Sequence, residues 1–130
     1  MLQIKAQIGQ DHYTTQINSS TNTLVADEPV SNGGQDKGFA PAELLTASLA
    51  ACTVITLRMY ADRKQWPVDT IHVVINFTHS DEPKSSQFDR SITINGNLTQ
   101  EQKERMLAIA NQCYVHKILS NPILINTQLL

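Results

Sequence analysis

Arginine is missing from the first 57 residues of this 130-residue chain; Arg58, Arg63, Arg90 and Arg105 are the only four. With six lysines against twelve acids the formal net charge is −2. The basic face that a nucleic-acid-binding domain requires is therefore not expected. Cysteine is almost as scarce. Two residues, Cys52 and Cys113, make no disulfide framework, and at this length none is needed: such a chain buries about two-thirds of its unfolded surface. Long apolar runs are lacking too. The stretch from Leu44 to Leu57 is interrupted by Thr46, Ser48, Thr53 and Thr56 and falls short of a membrane span. Met1-Leu2-Gln3-Ile4-Lys5 has no basic segment leading into an apolar core, so no signal peptide is expected. These absences point to the cytoplasm, where thiols are kept reduced. His12, His72, His79 and His116 show no metal-ligand spacing, and no C-x-x-C occurs. No metal and no membrane partner are expected.

What is present reads as one mixed domain spanning residues 1–130, without repeat or linker. Leu2, Ile4, Ala6 and Ile8 alternate with polar residues, the period of a half-buried strand. Turn chemistry at Gly9-Gln10-Asp11 and again at Ser19-Ser20-Thr21-Asn22 separates it from strands over His12–Asn18 and Thr23–Ala26. An irregular stretch follows, carrying Gly33, Gly34 and Gly38. Pro41 suits a first helical position, and the helix it opens runs to about Gln65, where Pro67 ends it. That helix is about 35–40 Å long. Its first half is apolar or small on every face, the pattern of a helix buried all round; its second half, with Arg58, Asp62, Arg63 and Lys64, should reach solvent. Ile71, Val73, Ile75 and Phe77 give one clear strand, and Phe88, Ile92, Ile94 and Leu98 share a parity in the next. Arg90 stands on that apolar parity. Thr99-Gln100-Glu101-Gln102 is a capping box opening a second helix, on whose apolar face Met106, Ile109, Ala110 and Cys113 recur. Ile123–Leu130 reads as a last strand. The order β-β-β-α-β-β-α-β, with strands in runs, indicates an α+β fold.

Two readings of the cysteines stand open. Free cysteine is among the most buried residue types, which makes both inert hydrophobes. Alternatively they are a redox pair, in which one thiolate attacks a peroxide to give a sulfenic acid and the other condenses with it. The second reading needs a lowered thiol pKa. Ser48 and Thr56 lie one turn from Cys52 on its own face, while Glu43, nine positions earlier, is half a turn out of phase and suits the helix dipole. His116 reads as a local charge at a helix end. The Gly33–Gly38 segment matches neither dinucleotide nor P-loop spacing and is read as a shaped loop.

The run Gly33-Gly34-Gln35-Asp36-Lys37-Gly38-Phe39-Ala40-Pro41-Ala42-Glu43-Leu44-Leu45, continuing to Ala50-Ala51-Cys52, resembles the glycine-loop, Pro-x-Glu-Leu-Leu, Ala-Ala-Cys signature of the OsmC/Ohr superfamily. Ala110-Asn111-Gln112-Cys113-Tyr114-Val115-His116-Lys117-Ile118-Leu119 is similar to its Cys-Pro-Val-(Ser/His)-Lys-x-Leu segment. The resemblance implies an intertwined homodimer that reduces organic hydroperoxides, and in some members hydrogen peroxide, in oxidative-stress defence. It makes Cys52 the attacking cysteine and Cys113 the resolving one, with Glu43 as the nearby carboxylate. No bound cofactor is implied; an external dithiol, lipoyl groups in the organic-hydroperoxide branch, restores the thiols.

The chain also departs from the pattern. The family's Glu ten residues before the first cysteine is Ala42 here, with Glu43 one place later. The N-terminal Arg that pairs with it is absent; Lys5 and Arg90 are the cations left to consider. Tyr114 replaces the proline after the second cysteine. These departures keep a second expectation in view, a non-catalytic ligand-binding or redox-sensing dimer on the same fold.

Overall fold

The computed structural model describes all residues, 1–130. Nine elements follow in order: strands β1 (Lys5–Ile8), β2 (Thr15–Asn18) and β3 (Thr23–Ala26), a 3-10 turn at Val30–Asn32, helix α1 (Pro41–Lys64), strands β4 (Val68–Asp81) and β5 (Lys84–Gly96), and helices α2 (Gln100–Ala110) and α3 (Tyr114–Leu119). The chain divides into two compact units, Met1–Leu45 and Thr46–Leu130.

In the first unit β1, β2 and β3 form an antiparallel meander, with Ala6 opposite Ile17 and Ile17 opposite Leu24. The expected half-burial of β1 is not found: all four of its residues are exposed. The glycine-rich stretch is folded around one carboxylate. Asp27, 2 % exposed, accepts from the backbone N–H of Tyr13, Glu28, Gln35 and Lys37 at 2.7–3.3 Å. Burial alone raises its pKa, but these bonds to the ionised form win and lower it. The loop thus encloses its own anion, which agrees with a shaped loop and leaves no cradle for a phosphate. Its closeness demands glycine: a Cβ on Gly34 would overlap the carbonyl oxygen of Glu28, and one on Gly38 that of Val25.

In the second unit β4 and β5 form a two-stranded antiparallel hairpin, with Ile75 opposite Arg90 and Phe77 opposite Phe88. Its inner parity is the one read from the sequence. The core joins Leu57, Tyr60 and Ala61 of α1 to Val68, to Met106, Ile109 and Ala110 of α2, and to Trp66, Ile71, Ile92, Ile94 and Leu98. Gln65, in the left-handed region at φ 56°, ends α1. Arg58, expected in solvent, turns back to donate to the carbonyls of Val68 and Asp69 at 3.0 and 2.9 Å, tying the helix to the irregular start of β4.

In the single chain α1 is buried along the stripe Leu49, Thr53, Leu57, Tyr60 and Ala61, and Ile55 is 53 % exposed, so the all-round burial expected of its first half would need cover from a partner subunit. Three expectations are corrected. At 24 residues α1 is also long and apolar enough, by length and composition, to cross a membrane, although its covered stripe belongs to the protein core. The second helix is not continuous: it stops at Ala110, and α3 begins at Tyr114. Finally, Ile123–Leu130 forms no strand. A strand needs a ladder partner, and β4 and β5 pair only with each other.

Gly38→Ala should lose about 1–3 kcal/mol of stability, because the backbone carbonyl it meets has little room to give. Urea unfolding monitored by circular dichroism tests this, and an unchanged midpoint would contradict the packing described.

Candidate active site

The break between α2 and α3 is what assembles the site. Asn111 caps α2 in a helical conformation, and Gln112 and Cys113 make tight bonds back to the carbonyls of Ile109 and Ala110. Cys113 then adopts an extended conformation, φ −64° and ψ 149°, and serves as N-cap of α3. The first N–H groups of a helix have no partner within it, so those of Tyr114 and Val115 are free to reach outward. They reach Cys52 on α1. The Val115 N–H donates to Cys52 Sγ at 3.5 Å, and the Thr56 hydroxyl lies 3.9 Å from the same sulfur.

These contacts set the thiol's acidity. Burial raises the Cys52 pKa; hydrogen bonds from the Val115 N–H, the Cys113 thiol, the Thr56 hydroxyl and the Tyr114 N–H outweigh it, and the net shift is downward from 9.0. Donors favour the thiolate because it is the better acceptor. Hydrogen bonds lead the lowering, and the Arg90 guanidinium stands one thiol away, on Cys113. The Tyr114 N–H has a particular meaning, since proline at that position would have none. Of the two one-turn neighbours considered for Cys52, Thr56 brings its hydroxyl to 3.9 Å from the sulfur.

Arg90 holds the other side. Its Nη1 donates to Thr53 Oγ1 at 3.0 Å and to Cys113 Sγ at 3.9 Å. Its Nη2 donates to Asn111 Oδ1 and His116 Nδ1, both at 3.0 Å. Thr53 is fully buried and passes its own proton to the Leu49 carbonyl at 2.7 Å. One guanidinium therefore links α1, the end of α2, the break and α3. His116 is not a helix-end charge, as its position suggested. Burial and the neighbouring Arg90 lower its pKa below the ordinary 6.5, and an Nδ1 that accepts from arginine leaves the proton on Nε2.

The structure thus brings Cys52 and Cys113 together. Glu43 is exposed in the first turn of α1, and its Oε1 accepts the Ala40 N–H at 2.9 Å, a capping role. Cys113 is 1 % exposed, and it caps a new helix instead of riding late in the old one. Sequence reading singled out Arg90 by its parity but missed its partners Thr53 and Asn111, and missed the Tyr114 and Val115 amides, which no side-chain motif reveals.

Because the folded pKa of His116 is depressed, the unfolded chain takes up its proton first. Stability from the neutral ring is then complete above pH 6.5 and is lost as the pH falls below it. The melting temperature should fall between pH 7.5 and 5.5, and His116→Gln, which keeps an acceptor for Arg90, should flatten that fall. Parallel slopes for the two proteins would contradict the assignment.

Residues 34–128 match the family model for OsmC-like protein. No functionally curated protein matches. Among solved structures, the chain is similar to the OsmC like protein from Mycoplasma pneumoniae, at 20 % identity and a TM-score of 0.78 over 92 % of this chain and 87 % of that one. It is also similar to the organic hydroperoxide resistance protein OsmC from Legionella pneumophila (20 % identity, TM-score 0.64, 92 % and 88 % covered). OhrB, the Organic Hydroperoxide Resistance Protein of Bacillus subtilis, is similar at 18 % identity and a TM-score of 0.60, with 91 % and 89 % covered. Identities this low carry the fold alone, but the family model spans most of the chain: this protein belongs to the OsmC-like family.

Proposed function

We propose that the protein is a cysteine-based peroxidase that reduces organic hydroperoxides. The observation that carries this reading is the geometry at Cys52, whose Sγ accepts the Val115 N–H at 3.5 Å and lies 3.9 Å from the Thr56 hydroxyl, with hydrogen bonding that includes the Cys113 thiol holding its pKa down. The Cys52 thiolate attacks the outer peroxide oxygen; the O–O bond breaks, the sulfur becomes a sulfenic acid, and the alkoxide leaves and takes a proton as an alcohol. Cys113 then condenses with the sulfenic acid, forming a disulfide and releasing water. An external dithiol, with lipoyl groups as the candidate class, returns both thiols by exchange. No bound cofactor or metal enters these steps.

The Tyr114 and Val115 amides take over part of the task that an arginine performs in relatives of the family pattern, in which a guanidinium stands near the attacking sulfur. Arg90 keeps Cys113 and α3 in place. Glu43 holds the start of α1 and is assigned no step. We further propose that the working form is a cytoplasmic homodimer, since Ile55, Met59, Ile123, Leu124 and Ile125 are all more than half exposed in one chain and a second copy would cover them.

A non-catalytic ligand-binding or redox-sensing dimer is the competing reading, favoured by one observation: the only arginine beside the pair reaches Cys113 and not Cys52. Hydroperoxide consumption separates the two. With cumene hydroperoxide and dihydrolipoamide, the wild type should turn over many times, Cys52→Ser should be inactive, and Cys113→Ser should stop early as Cys52 over-oxidises. Wild-type turnover no faster than that of Cys52→Ser would move the protein to the sensing class.

A further inference from the structure

The Arg90 guanidinium is fully engaged and yet has no counter-charge. Its Nη1 donates to Thr53 Oγ1 and Cys113 Sγ, and its Nη2 to Asn111 Oδ1 and His116 Nδ1. These are a hydroxyl, a thiol, an amide oxygen and an imidazole, none of them a carboxylate. The salt bridges of the chain are Arg58–Asp62 and His79–Asp81, and neither involves Arg90. A partly buried cation is ordinarily paired, because desolvation without an opposite charge is costly. Of the four acceptors, only the Cys113 sulfur gains and loses negative charge as bonds form and break at the cysteine pair. The other three are chemically unchanged when Cys113 becomes half of a disulfide, so they keep the guanidinium in place through the cycle.

The two sulfurs also differ in access. Cys113 is 1 % exposed, whereas Cys52 is only partly buried. Thiol–disulfide exchange depends on which sulfur an incoming thiolate can reach and on how well the other carries charge as it leaves. The Val115 and Tyr114 amides equip Cys52 to leave as well, but expelling it requires attack on the buried Cys113. Access therefore decides the direction.

We propose that Arg90 acts in the return half of the cycle: an external thiolate opens the disulfide at Cys52, and Cys113 leaves as a thiolate onto the Arg90 guanidinium. The Cys52–Cys113 bond breaks, a new S–S bond joins the reductant to Cys52, and the electron pair of the old bond goes to the Cys113 sulfur. The second thiolate of the dithiol then attacks its own bound sulfur, closes a cyclic disulfide and expels Cys52 onto the Val115 and Tyr114 amides. The dithiol loses two electrons and two protons to the cysteine pair, the protons by way of solvent. Each sulfur thus has its own support as an anion, amides for Cys52 and a fixed cation for Cys113, in place before the charge develops. The inference rests on the peroxidase reading for the origin of the disulfide, but not for the direction in which it opens.

Diamide makes the disulfide without peroxide, so the test does not depend on turnover. The oxidised full-length protein is mixed with the monothiol 2-mercaptoethanesulfonate, quenched in acid, alkylated under denaturing conditions and mapped by mass spectrometry. The adduct should sit on Cys52, with Cys113 alkylated, by at least about tenfold over the reverse. Adducts on Cys113, equal shares, or no Cys52–Cys113 disulfide after diamide would overturn the proposal. Reduction of the same disulfide by dithiothreitol should be about tenfold slower in Arg90→Gln. Arg90→Lys keeps the charge and gives up the fork, so it should recover most of that rate even where its melting temperature falls. Arg90→Gln as fast as wild type, or Arg90→Lys no faster than Arg90→Gln, would leave Arg90 a structural clamp and overturn its part in the exchange. Cys52 adducts in a protein without peroxide turnover would uphold the direction of opening and sink the peroxidase reading alone.

Discussion

The guanidinium of Arg90 is the interaction on which the second unit's site depends. Strand β5 delivers it to the inner face of the hairpin, opposite Ile75, in a row otherwise made of Phe88, Ile92 and Ile94. From there it binds Thr53 on α1, Asn111 at the end of α2, Cys113 in the break and His116 on α3. A lysine could not replace it, because an ammonium has no planar fork with which to span four separated acceptors. Hydrogen bonds from a charged donor contribute about 1.5–3 kcal/mol each, so the clamp has the strength to hold a helix interrupted where its residues would otherwise let it continue.

That interruption converts backbone into chemistry. An unbroken helix would spend the Tyr114 and Val115 amides on its own ladder. Interrupted, it frees them for Cys52, and a sulfur partly buried against the core is stabilised as the anion by backbone N–H groups. Preorganised amides suit such a task because they are fixed before charge develops and need no reorganisation. Tyr114 is itself 74 % exposed; what the position contributes to the site is a proton on nitrogen.

Much of the fold was legible in the sequence. Alternation placed the β4–β5 hairpin and its inner face, Pro41 and Pro67 bracketed α1, and the Thr99 capping box opened α2 as observed. The cysteine pair was legible through resemblance, and the misplaced parity of Arg90 was a true signal. The break was not legible. Met106, Ile109, Ala110 and Cys113 keep helical spacing, because a residue that caps the next helix can still face the same core as the last one. Nor could sequence show that Ile123–Leu130 would lack a strand edge to join. That depends on what lies outside the segment, and local pattern carries no record of it.

The account rests on one claim above the rest: that the break presents Cys113 to Cys52 closely enough for the two sulfurs to react. The direct measurement is peptide mapping by mass spectrometry after one equivalent of organic hydroperoxide is added to the reduced protein in the absence of any thiol. The account predicts a single disulfide joining Cys52 to Cys113 within one chain, formed without loss to sulfinic acid. Sulfinic acid at Cys52 with Cys113 still a free thiol, or a disulfide between two chains, would contradict it.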